Sequence, residues 1–153
     1  MNSYAKIMSF LLITVSMPAA CLGVPNFSDV QNRDWNLAEI RIGPESITID
    51  GAGEMFTLRF DMERVNGIGM PNRYFAPYTL ADKQGIAINT MAQTRMAALR
   101  EPEKLKEDEF FFYLQNAVRW NLVRGNLELF SRGQDGLQAV LIFVPATIGI
   151  EGN

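Results

Sequence analysis

The chain contains no histidine and a single cysteine, Cys21. Without histidine it lacks the usual general base near neutral pH, the commonest zinc ligand and the physiological pH switch. A lone cysteine excludes an internal disulfide framework. Long apolar runs are missing as well: the best, Ile7 to Val15, is interrupted by Ser9 and Thr14. It is about half of the ~20 residues that a membrane-spanning helix needs. Nor is there a surplus of positive charge. The net charge is −3, and Lys6 is the one charged residue before Cys21, so the remainder is more acidic still. The basic residues are scattered and the longest charged stretch, Glu103 to Glu109, is mixed and mainly acidic. Such a pattern excludes a phosphate-tracking surface, and no nucleic-acid partner is expected.

What is present begins with an address. Lys6, a short apolar run and then Pro18-Ala19-Ala20-Cys21 form the layout of a cleavable signal peptide. Small residues before Cys21 resemble the bacterial lipobox, with Pro18 where an aliphatic residue is usual. Residues 1–21 therefore read as a lipoprotein-type signal, with Cys21 as the lipid-attachment residue and simple cleavage near Gly23 as the alternative. Acylation would give the protein a membrane partner, each buried methylene contributing about 0.8 kcal/mol. Leu22, rather than Asp, follows the cysteine, which points toward the outer membrane. Residues 22–33, polar and punctuated by Pro and Gly, are expected to be a tether.

The rest, 34–147, has room for one domain, and at 48% hydrophobic the chain has the means to pack a core. Short runs of period-two character recur: Trp35 to Ile42, Ser46 to Ile49, Phe56 to Asp61, Tyr74 to Leu80 and Ile86 to Asn89. Turns are expected at Asp50 to Gly53, at Val65 to Gly69 and at Asp82 to Gly85. From Met91 to Leu114 the composition shifts to Ala, Met, Leu, Lys and Glu, predicting one main helix entered at Pro102 and ending near Ala117. Its four consecutive aromatics, Phe110 to Tyr113, step by about 100° and so point all round the helix. A curved sheet must embrace them, or an aromatic such as Phe110 or Tyr113 is left for a partner. Strands return at Trp120 to Val123, Leu127 to Phe130 and Leu137 to Val144. Hairpin-length connections imply an antiparallel sheet, hence an α+β domain.

Four segments together resemble the META (HslJ-like) domain family across Asp34 to Phe143. They are Trp35-Asn36-Leu37; the stretch from Val65 through Gly67 to Asn72-Arg73-Tyr74; Gln93 to Ala98; and Glu109 to Leu114 running into Trp120-Asn121-Leu122 and Leu127-Glu128-Leu129. The resemblance implies a small antiparallel curved sheet, cracked-barrel-like, wrapped around one main helix. It also implies an envelope or secreted domain linked to stress or surface roles, without an established catalytic activity. Relatives often carry cysteines at the positions of Pro71 and Ala98; both are absent here, so packing must supply what a bridge would. Trp35, Gly67, Asn72 and Tyr74 are the structural motif, with Gly67 supplying a turn, Asn72 bonding local backbone and Tyr74 packing beneath.

Candidate chemistry is sparse. Asp61 and Glu63 at a strand end read as solvated charges rather than an acid-base pair. Ser131 and Lys106 lack a nucleophile's context, and Gln134-Asp135 is too thin for a cation loop. No metal and no cofactor are expected. Three functions remain in order: an interaction module meeting an envelope protein, a carrier of an apolar ligand such as an acyl chain or a secretin-pilot-like lipoprotein, and last an enzyme.

Overall fold

Period-two alternation of large apolar and polar side chains builds most of the described residues, and among them it does so on ten strands. The computed structural model describes residues 23–49, 56–97, 104–133 and 135–146. A 3-10 turn, η1 (Phe27–Asp29), precedes β1 (Asp34–Ile42), β2 (Glu45–Thr48), β3 (Thr57–Phe60), β4 (Arg64–Ile68), β5 (Arg73–Ala81), β6 (Gly85–Ile88) and β7 (Ala92–Gln93). The helix α1 (Glu107–Gln115) follows, then β8 (Ala117–Val123), β9 (Asn126–Arg132) and β10 (Gln138–Pro145).

Every pairing is antiparallel, and the last strand returns to the first: Trp35 faces Pro145 and Ile42 faces Ala139. With that closure β1, β3, β4, β5, β6, β8, β9 and β10 form an eight-stranded barrel, while β2 and β7 pair on its flanks. The cracked sheet expected from the sequence is thus a closed one, and sheet dominates helix. Side chains alternate accordingly. Trp35, Leu37, Leu58, Phe60, Val65, Leu127, Leu129, Leu141 and Phe143 are buried inside. Glu39, Arg41, Arg59, Arg64 and Arg119 lie on the outer face. A barrel of this size has an interior that its own side chains fill.

Its two mouths are closed by aromatics. On β5, Tyr74 and Tyr78 share the inner face four residues apart, about 13 Å along the strand. Tyr78 meets Phe27 and Phe60 at ring-centroid distances of 5.6 and 5.0 Å, and Phe27 also packs edge-on against Trp120 at 5.0 Å. Tyr74 meets Phe110 and Phe111 of α1 at 5.9 and 5.4 Å, with Phe56 4.9 Å from Phe110. So η1 closes one end and α1 the other.

Several expectations change. The tether expected over 22–33 carries Phe27 and Val30 into the core, and the Val30 carbonyl accepts the Trp35 indole N–H at 3.0 Å. The turn expected over Val65 to Gly69 is strand β4, paired with both β3 and β5. The helix is far shorter than the Met91 to Ala117 composition suggests. Ala92–Gln93 pairs with β5, and the amide of Thr94 donates to the Arg73 carbonyl at 3.0 Å, so tertiary partners claim this backbone against its helical propensity. Ala117 opens β8 opposite Ser131. Pro102, Ala98, the Asp50 to Gly53 turn and Cys21 with its signal lie outside the described residues.

Phe27→Ala is expected to cost about 3 kcal/mol in chemical denaturation, the usual penalty for emptying a buried phenylalanine site. A cost below about 0.5 kcal/mol, as for an ordinary surface substitution, would return the segment to the status of a free tether.

Candidate functional site

The motif residues converge beside α1. Gly67 sits opposite Tyr74 in the β4–β5 register, and the Tyr74 hydroxyl crosses it to donate to the Thr57 carbonyl at 2.8 Å. A Cβ at Gly67 would overlap that carbonyl oxygen and crowd the hydroxyl. The glycine is therefore present for close approach, not for the turn that the sequence suggested. Burial pushes the Tyr74 phenol well above its ordinary pKa, so it remains a neutral donor.

Asn72 is buried and ties three segments together. Its backbone N–H donates to one Glu107 carboxylate oxygen at 3.0 Å and its Nδ2 to the other at 2.9 Å. Its Oδ1 accepts from the Thr94 hydroxyl at 3.0 Å and the Met96 amide at 2.7 Å. The amide thus holds the β4–β5 turn, the 94–96 segment and the first turn of α1 together. Bonding to local backbone, as expected from the sequence, describes little of this. Glu109 completes the helix start by accepting the Lys106 N–H at 3.0 Å, and the acidic first turn suits the helix dipole. The hydrogen bonds of the knot position the helix start against the sheet.

Phe110, one of two residues expected on a partner surface, is fully buried together with Phe111 and Leu114. The helix turns these three inward and leaves Phe112 and Tyr113 half-buried. Phe112 stands between two surface grooves. One, of about 100 Å³, is lined by Ile42, Glu109, Phe112, Tyr113, Gly133, Asp135 and Leu137. The other, of about 240 Å³, is lined by Met91, Gln93, Asp108, Phe111, Phe112 and Gln115. Desolvation, then the nearby Glu109 and Asp135 carboxylates, raise the Tyr113 pKa. The result is an apolar ridge with an acidic rim. The sequence signal was the aromatic run, but which of its members faced outward depended on where α1 docked.

Elsewhere the candidate chemistry is structural. Asp61 Oδ1 accepts the amides of Glu63 and Arg64 at 2.9 and 2.6 Å, and these bonds hold its pKa below the ordinary value. Ser131 is buried with its hydroxyl lacking a hydrogen-bond partner, flanked across the sheet by Ala117 and Ala139. No group of three metal-ligating side chains occurs among the described residues, and none of their helices is long and apolar enough to cross a membrane.

Comparison with known proteins follows the same lines. The META domain model matches residues 28–142. A protein from Burkholderia xenovorans solved by NMR superposes with a TM-score of 0.62 at 20% identity, over 86% of this chain and 98% of that one. A duf4847 family protein from Bacteroides vulgatus gives 0.53 at 12% identity, over 77% and 95%. At such identities the likeness is one of fold. No curated protein matches.

Asn72→Ala should cost about 3 kcal/mol, because it removes the side-chain donor to one Glu107 oxygen and the acceptor of both the Met96 amide and the Thr94 hydroxyl, leaving only the backbone N–H on Glu107. In a double-mutant cycle with Glu107→Ala, a coupling of at least about 1 kcal/mol is expected; additive losses would dissolve the knot. For Asp61 the folded pKa is depressed, so its stabilisation is present above the ordinary carboxylate pKa and is lost as pH falls through the folded value. Asp61→Ala should therefore be less stable than wild type at neutral pH, with the gap closing in acid. A gap independent of pH would remove the carboxylate from the account.

Proposed function

The chain belongs to the META domain family, and from that premise we propose that it is a non-catalytic interaction module of the bacterial envelope, anchored by acylated Cys21 on the outer membrane. The observation that carries this reading is the Phe112–Tyr113 ridge between its two grooves, at the barrel end away from the N-terminal segment. Half-buried aromatics with a polar rim are the usual anchors of a protein interface. The acidic rim of Asp108, Glu109 and Asp135 favours a partner segment that combines apolar side chains with Lys or Arg. The reading gains over a ligand carrier because the inner face is filled by Trp35, Phe56, Phe60, Phe110 and Phe143, all fully buried. A link to stress tolerance belongs to the same proposal.

Two measurements test it. Intact-mass analysis of protein from native membranes should find acyl groups on the wild type and none on Cys21→Ala; an unmodified mature chain would leave a soluble secreted domain instead. A photo-crosslinker at position 112 should give one adduct of defined mass in intact cells, abolished by Leu137→Glu. The same crosslinker at Phe75, exposed on the outer wall, should give none. Identical adducts at both positions, or none at 112, would defeat the interface.

A further inference from the structure

The chain enters the barrel at the η1 end, and its entry leaves only a short tether. Val24 and Pro25 line an open hollow with Leu80, Lys83 and Trp120, and the first fixed side chain is Phe27, held among Phe60, Tyr78 and Trp120. Five residues, Leu22 to Asn26, separate Cys21 from buried Phe27. Fully extended, that stretch reaches about 20 Å. A tether of twelve residues would let the domain tumble above a membrane; this one does not.

The same end gathers the β3–β4, β5–β6 and β8–β9 turns. Val24 and Met62, each 85% exposed, are the most exposed large apolar side chains among the described residues, and Leu80 and Val123 stand exposed on the same rim. Apolar side chains on separate turns and strand ends at one end have a natural partner in the headgroup and acyl boundary of a bilayer. Charge at this end is mixed, with Arg64, Lys83 and Arg124 beside Asp61, Glu63 and Asp82, so the apolar side chains decide the contact.

We infer that the η1 end of the barrel is a membrane-contact face. In the anchored protein Val24, Met62, Leu80 and Val123 rest on the lipid surface, and the Phe112–Tyr113 ridge points away from it. This orientation rests on the reading of Cys21 as the anchor point. It converts an anchor into a display: the ridge stands a barrel's length above the bilayer, facing a partner rather than lipid.

Two methionines report on the opposite ends. Met62 lies in the β3–β4 turn at the η1 end, and Met96, 54% exposed, lies beside Asn72 at the α1 end. The mature chain beginning at Cys21 can be coupled through that one thiol to maleimide lipid in vesicles of phosphatidylethanolamine and phosphatidylglycerol. Sulfoxide formation by dilute peroxide is then followed by peptide mass. Met62 should oxidise several-fold more slowly on vesicles than in the uncoupled chain, with Met96 unchanged. Protection of Met96 with Met62 unchanged, or equal rates on and off vesicles at both positions, would overturn the orientation. Because the maleimide supplies the anchor, this outcome is separate from native acylation, which the intact-mass measurement decides.

Discussion

The pairing of β10 with β1 closes the sheet, and the remaining structure follows from the demands of closure. A closed sheet has no long free edge to protect, but it has an interior to fill and two mouths to shut. The interior is filled by alternate residues of eight strands. The mouths are shut by segments that are not strands at all, η1 with Phe27 and α1 with Phe110 and Phe111. Each lid meets a different tyrosine of β5, so one strand sets the spacing between them.

The lid at the α1 end needs more than ring contacts, because a helix of nine residues is too short to be stable alone. Asn72 supplies the fastening: one amide side chain spans the β4–β5 turn and the 94–96 segment, and Glu107 reaches back to it from the helix. The join between the segments rests on hydrogen bonds. With α1 fixed in rotation, Phe112 and Tyr113 are the aromatics left toward solvent, so the candidate interface is a by-product of how the lid is fastened.

Much of the fold was legible in the sequence, and the misses share a cause. Strands such as Phe56 to Phe60 and Leu127 to Phe130 declare themselves by alternation, which is local. The glycines of Val65 to Gly69 resemble a turn, whereas Gly67 is needed so that the Tyr74 hydroxyl can reach Thr57 across the sheet. Within the Met91 to Leu114 stretch whose composition favours helix, the hydrogen-bond partners of residues 92–96 lie on β5 and at Asn72. Phe27 and Val30 looked like tether because a polar, proline-containing segment gives no sign of where two apolar side chains will land.

The sequence by itself determined the family, the antiparallel strand character of the domain, the absence of histidine chemistry and the acidic, single-cysteine composition, since these follow from residue identity and short-range periodicity. Only the tertiary structure decided that the sheet closes, that η1 and α1 are its lids, and which aromatics remain outside. Closure depends on contacts between residues a hundred positions apart, Trp35 with Pro145 and Ile42 with Ala139. No local pattern encodes such a pairing, because its free energy comes from burying one face of every strand at once.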